Sequence, residues 1–246
     1  AKPLIAQGLK APIFQYRIRS SEEVLEFNLG ELSDRLEFPF RLQCEQYKFA
    51  RMLAEKLEEH PHAEILFNHK VLEVSQNNVG TSVEVNTPDG IRTYKGSYLI
   101  GADGANSIVR RQLGIDFSGF TYKEKFLTLS TKESVENYFN DLAYVNYVSD
   151  PKDWFVLLKA PSAWRILVTI DNNMKDADIV SNKNIHSVFQ RVLGESKKVE
   201  TIHRTIYRVH QRVVDKMTHQ RILLIGDSAH LNNPLGGLGM NSGLHD

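Results

Sequence analysis

The chain has 246 residues, 41% of them apolar and 24% charged, which suits one large core or two modest ones and leaves no case for disorder. Its 30 basic and 30 acidic side chains cancel, so no net positive field draws it to nucleic acid or to an anionic membrane surface. No apolar run approaches the roughly 18 residues a membrane span needs, and Ala1 to Gly8 has too short an apolar stretch for a signal peptide. A cytoplasmic location is therefore expected. The lone Cys44 excludes an intrachain disulfide and a cysteine-based metal cluster, and reads as a small space-filler.

Residues 12–29 read as two strands about a polar turn at Ser20 to Glu23, a hairpin. From Glu45 to His60, Tyr47, Phe49, Ala50, Leu53, Ala54 and Leu57 recur at helical spacing and Pro61 follows, which predicts an amphipathic helix. Gln46 stands in its first turn, either facing solvent or reaching a ligand. Ile65 to Phe67, Val71 to Val74, Ser82 to Val85 and Ile91 to Tyr94 read as short strands, with Thr87-Pro-Asp-Gly90 as a hairpin turn. Tyr98 to Ile100 is a further strand, buried, that ends at Gly101-Ala-Asp-Gly104. A helix runs from Ser107 through Leu113 and stops at Gly114. Asp103 caps that helix, contacts a ligand, or does both. Arg110 and Arg111 are either solvated or positioned for an anion.

Beyond Gly119 the spacing turns strand-like: Phe126 to Thr131, Leu142 to Val148, Trp154 to Lys159 and Trp164 to Ile170, with turns at Asp150-Pro151 and Pro161-Ser162. This predicts an antiparallel sheet, in which Trp154 and Trp164 are core before they are ligand contacts. Ile185 to Leu193 reads as a short helix ending at Gly194, and Thr201 to His210 as a returning strand. His203, Arg204, Arg208, His210 and Arg212 make a basic set without the ligand spacing of a metal site.

The last stretch carries the chemistry. Ile222 to Ile225 is a continuous apolar run, expected as a strand buried on both faces, and it stops at Gly226-Asp227. Open α/β sheets hold ligands at such carboxyl ends. Pro234 stiffens the following loop, and Gly236, Gly237 and Gly239 remove Cβ atoms so that a flat ligand can lie against bare backbone before a helix begins near Met240. A carboxylate that accepts from hydroxyls, beside free amides that favour an anion, suits a cofactor with both features. A flexible connection is the plainer alternative.

Gly226-Asp-Ser-Ala-His230, Pro234 and Gly236-Gly-Leu-Gly-Met-Asn241 resemble the second flavin motif of the FAD-dependent aromatic-ring hydroxylases, the class A flavoprotein monooxygenases with the p-hydroxybenzoate hydroxylase fold. Tyr98 to Arg110 resembles the Asp-Gly motif of the same family, in the same order along the chain. The resemblance covers nearly all residues; mild departures are Gln220 in place of a usual Gly and Ser228 in place of a usual Ala. It implies an α/β fold in which an FAD-binding Rossmann-like domain, residues 1–118 and 205–246, carries an inserted, mostly antiparallel substrate domain, residues 119–204, with 12–42 partly joining the substrate sheet. It implies FAD contacts by Gln46, Asp103, Gly104, Gly226, Asp227, Pro234, Gly236, Gly237, Leu238, Gly239, Met240 and Asn241, and no catalytic side-chain pair.

The family's opening strand, Gly-x-Gly-x-x-Gly turn and helix are absent from this sequence, and it stops at Gly243-Leu-His-Asp246, so it reads as an internal piece of a longer enzyme with an incomplete Rossmann-like domain. The activity implied is hydroxylation of a phenol-like small molecule with molecular oxygen and NADH or NADPH, through a C4a-hydroperoxyflavin. A reductase or halogenase of the same fold, or a non-catalytic binding piece, are the alternatives, although the tryptophan-rich halogenase motif is missing.

Overall fold

The computed structural model describes residues 2–150, 154–194 and 199–246. Pro151, in the expected Asp150-Pro151 turn, lies outside them. The chain divides into two compact units: Ala1–Ala63 with Glu124–Tyr207, and Glu64–Lys123 with Arg208–Asp246. The strands Ser118–Thr131 and His203–Val213 carry the chain from one unit into the other. The sequence boundaries placed residues 1–118 with the motif-bearing part while letting 12–42 partly join the substrate sheet, and residues 13–28 do pair into the sheet of the first unit.

In the first unit, Ile13–Ile18 and Glu23–Asn28 form the expected hairpin. Ile13–Ile18 then lies parallel to Val145–Ser149, with Phe14 beside Val145 and Ile18 beside Ser149. This one parallel pair makes residues 13–28 part of the sheet. From Val145–Ser149 the sheet continues antiparallel through Phe155–Ala160 and Ala163–Ile170 to the strand that ends at Thr131. Alternation along Ala163–Ile170 sends Trp164, Ile166, Val168 and Ile170 to one face, where they meet Leu127, Leu129, Phe155 and Leu157. The helix Asn182–Leu193 covers that face with Ile185, Val188, Phe189 and Val192. It begins earlier than the apolar spacing indicated, because the Ser181 side chain caps the Asn184 N–H; Gly194, at φ 73°, ends it.

Helix Gln46–Glu58 also forms as expected, yet none of its residues is buried, and Tyr47, Leu53 and Leu57 stay exposed. Its start is tied to the sheet: Glu45 accepts from the N–H (3.1 Å) and hydroxyl of Ser162 and pairs with Lys48 at 2.8 Å. Trp164 is fully buried and donates its indole N–H to Glu136, so it is core.

The second unit holds two small sheets. Lys70–Gln76, Thr81–Thr87 and Gly90–Gly96 form an antiparallel meander, with the turn at Thr87–Gly90 as expected. Ile65 to Phe67 is not a strand, contrary to its apolar run: Asn68, at φ 59°, turns the chain away before pairing begins at Lys70. The other sheet has the order Thr218–His219, Ile222–Leu224, Leu99–Gly101, and its last two strands are parallel. Ile222 and Leu224 are fully buried with Val109, Val214 and Ala229. Only one face of this sheet is buried, a correction to the sequence reading, since Ile100 is 59% exposed and Leu223 and Ile225 are half-buried. Among the described residues no helix is long and apolar enough to cross a membrane.

Candidate functional site

The parallel register sets Leu224 beside Gly101, so both Asp-bearing loops leave the sheet at the same edge. Beyond the strand tips the loops stay joined. The Ile225 N–H donates to the Gly101 carbonyl at 3.1 Å. The Ser228 hydroxyl lies 2.6 Å from that same carbonyl and 2.7 Å from the carbonyl of Ile225, and accepts from the Ile225 N–H at 3.2 Å. Ser228 is fully buried, so its hydroxyl, where the aromatic hydroxylases carry alanine, is satisfied within the joint.

Arg110 completes that joint. It is 5% exposed, donates to the carbonyls of Ser228 (2.8 Å) and Ala105 (2.7 Å), and lies 3.9 Å over the Phe117 ring. Burial pulls its pKa down, partly countered by the nearby Asp103 carboxylate. Neither sequence reading of Arg110, solvated or aimed at an anion, describes this brace.

The two aspartates differ. Asp103 Oδ2 accepts from the N–H groups of Ile108 (2.7 Å) and Val109 (3.2 Å), while Ser107 Oγ accepts from Arg110 N (2.9 Å); together they cap the helix Ile108–Gln112. Asp103 also lines a cavity of about 570 Å³ with His69, Lys70, Ile100, Asn106 and Arg111. Asp227 does not line it. Its side chain is exposed, and among the described residues its carboxylate has no hydrogen bond or ion pair. Gly104 and Gly226 hold φ 76° and 58°, left-handed conformations that admit glycine without strain, and a Cβ at either would meet nothing within 4 Å.

The loop after Asp227 is as open as its glycines suggested. Asn233 Oδ1 accepts from Leu235 N at 3.0 Å, Pro234 opens a single 3₁₀ turn to Gly236, and Gly237, at φ 65°, ends it. The helix Gly239–His245 follows, its first turn closed by Ser242 N donating to Leu238 O at 2.8 Å. The N–H groups of Gly239, Met240 and Asn241 therefore have no intrahelical acceptor. Pro234, Gly236, Gly237, Leu238, Met240 and Asn241 are all exposed. Gln46 lies in the other unit, exposed at the first position of its helix. The structure thus brings Asp103, Gly104, Gly226 and Asp227 to one sheet edge and sets the glycine loop directly after Asp227.

Sequence reasoning missed Asp246. Its Oδ2 accepts from Gly226 N at 2.7 Å and lies 2.8 Å from His230 Nε2. Burial would raise this carboxyl's pKa, but the Gly226 N–H and the His230 ring hold it below the ordinary range. The departure at Gln220 is legible too: it turns the chain into Ile222–Leu224 at φ 55°, where glycine carries no steric cost.

An unpartnered carboxylate at a strand tip, a shelf of exposed glycine backbone and a row of free amides fit a cofactor that has hydroxyls along a chain and a flat, polar-edged ring. That constellation on parallel strands defines an α/β fold of the cofactor-binding kind. The chain belongs to the FAD binding domain family, which it matches over residues 4–246. It is 30% identical to para-nitrophenol 4-monooxygenase of Pseudomonas sp. (strain WBC-3), over 98% of this chain and 60% of that protein. To 6-hydroxy-3-succinoylpyridine 3-monooxygenase HspB of Pseudomonas putida (strain DSM 28022 / S16) it is 33% identical, over 98% of this chain and 61% of that one. The crystal structure of p-nitrophenol 4-monooxygenase PnpA from Pseudomonas putida DLL-E4 superposes with a TM-score of 0.91 at 27% identity, covering 99% of this chain and 62% of that one. The chain spans about three-fifths of the length of the curated relatives it matches.

Proposed function

We propose that the chain contributes the flavin edge and the substrate sheet of an FAD-dependent monooxygenase that hydroxylates a phenol-like aromatic compound at the expense of NADH or NADPH. The observation that carries this reading is the parallel register of Leu99–Gly101 and Ile222–Leu224, which presents both motif loops at one edge with the Asp227 carboxylate free. Relatives named as monooxygenases of para-nitrophenol and of a hydroxylated pyridine support the substrate class. The cofactor role falls to residues 64–123 and 208–246, and the substrate role to the sheet within 124–204. The cytoplasm, where reduced pyridine nucleotides are at hand, is the compartment this chemistry suits.

Bound FAD would supply the redox chemistry, taking up a hydride and activating molecular oxygen. The chain's own residues bind and orient it. Asp227 accepts hydrogen bonds from the ribityl hydroxyls, with Gly226 letting the backbone turn beneath it. Asp103 and Gly104 would lie beside the pyrophosphate. Pro234 fixes the course of the loop over the ring. Gly236, Gly237 and Gly239 give the ring bare backbone to lie on, and the amides of Leu238, Met240 and Asn241 stabilise negative charge at the ring's N1–C2=O edge. No side-chain acid or base is required.

Replacing Asp227 by Ala removes the one free acceptor at the strand tip, and FAD content per chain should fall at least tenfold; unchanged flavin content rejects the assignment. In the wild-type parent enzyme, a phenol should stimulate NAD(P)H oxidation with label from ¹⁸O₂ appearing in the product.

A further inference from the structure

The segment from Gly226 to Asp246 is closed on itself. A single carboxylate oxygen, Asp246 Oδ2, holds the backbone N–H immediately before Asp227 (Gly226 N, 2.7 Å) and the ring of the residue three places after it (His230 Nε2, 2.8 Å). Both side chains are largely withdrawn from solvent, 10% exposed for Asp246 and 19% for His230. The backbones meet at the same place: a Cβ at Gly243 would stand 3.2 Å from Gly226 Cα, so the helix Gly239–His245 approaches the turn as closely as glycine allows. Gly226 holds φ 58°, and its N–H, beyond the last residue of the strand, takes the Asp246 carboxylate as its acceptor. Without Asp246 that peptide keeps only the Ser228 hydroxyl on its Ile225 carbonyl, and the next residue along the chain is Asp227.

We infer that Asp246, with His230 as its second arm, is a positioning residue for flavin: it helps fix the Gly226 peptide, and through it the direction of the Asp227 carboxylate. The inference rests on the reading of Asp227 as a flavin ligand. Asp246 touches no cofactor atom itself; it acts through Asp227. The ionised form suits this work, since an anionic acceptor binds N–H groups more strongly than a neutral one.

The test is a double-mutant cycle on FAD affinity in the full-length chain, with Kd read from flavin fluorescence. Asp246→Ala should raise the Kd for FAD about tenfold. Asp246→Asn keeps an acceptor oxygen and should recover most of that loss. Because Asp246 works through Asp227, the double variant Asp227→Ala/Asp246→Ala should bind within about twofold of Asp227→Ala alone. A merely structural Asp246 gives losses that add, and additive losses overturn the inference, as does an Asn variant no better than Ala. Should Asp246→Ala not fold, His230→Ala removes one arm only and enters the same cycle with the same expected coupling. If Asp227→Ala binds FAD like the wild type, the proposed flavin contact fails and the positioning role falls with it. A normal loss in Asp227→Ala beside wild-type affinity in the Asp246 variants sinks the positioning role alone.

Discussion

Gln220 sits at φ 55° in the turn that feeds Ile222–Leu224 into its sheet, a conformation that costs a residue with a Cβ about 1–2 kcal/mol. Glycine there relieves the strain but adds freedom to the unfolded chain, offsetting about 0.4–1 kcal/mol of the gain. Gln220→Gly should therefore stabilise the protein by about 0.5–1 kcal/mol, read as a higher urea midpoint with an unchanged slope. The opposite case is Gly119, at φ 140°, where a Cβ would stand 2.0 Å from the carbonyl oxygen of Gln211. At this scale the motif glycines were legible, because glycine after an apolar run marks a backbone need. Arg110 was not. Whether an arginine is a brace or a solvated charge depends on where Ser228 and Phe117 arrive, more than a hundred residues away for Ser228.

Elements with local punctuation were read well, and those defined by distant partners were not. Ser181 and Gly194 bound one helix, and Thr87 and Gly90 one hairpin, by hydrogen bonds to residues nearby. The parallel contact between Ile13–Ile18 and Val145–Ser149 has no local signature, and neither did the failure of Ile65 to Phe67 to pair. The start of helix Gln46–Glu58 shows how a distant partner becomes measurable. Burial would raise the Glu45 carboxyl, but Lys48 and Ser162 override it and hold its pKa at about 2. The unfolded value is about 4.3, so this pairing stabilises the fold fully above that pH and the benefit disappears as pH falls towards 2. Glu45→Gln should cost about 2 kcal/mol at pH 7, with the gap to wild type closing between about pH 4 and pH 2. A gap that persists at pH 2 would show that shape rather than charge matters at this joint.

Across the whole molecule the two units are unequally provisioned. The first packs a sheet face under a helix with a long series of buried residues from Leu127 to Val199; among the described residues the second has a cluster of Val109, Val214, Ile222, Leu224 and Ala229, with Val85 and Val209 buried besides. Small cores open first, so amides of Leu99–Gly101 and Ile222–Leu224 should exchange hydrogen faster than those of Ala163–Ile170. Under the proposed assignment, added FAD should slow the former and leave the latter nearly unchanged. Equal protection in both units would refute the ranking. The α/β class was legible because two motif strands advertise their ends, whereas the membership of residues 13–28 depended on Val145–Ser149. That last pairing sets a timetable for biosynthesis. Leu25 and Phe27, 59% and 57% exposed, belong to a hairpin whose sheet neighbour emerges from the ribosome about 120 residues later. At about 5–20 residues per second the nascent hairpin waits roughly 6–24 s for it, a greasy ribbon with an open edge.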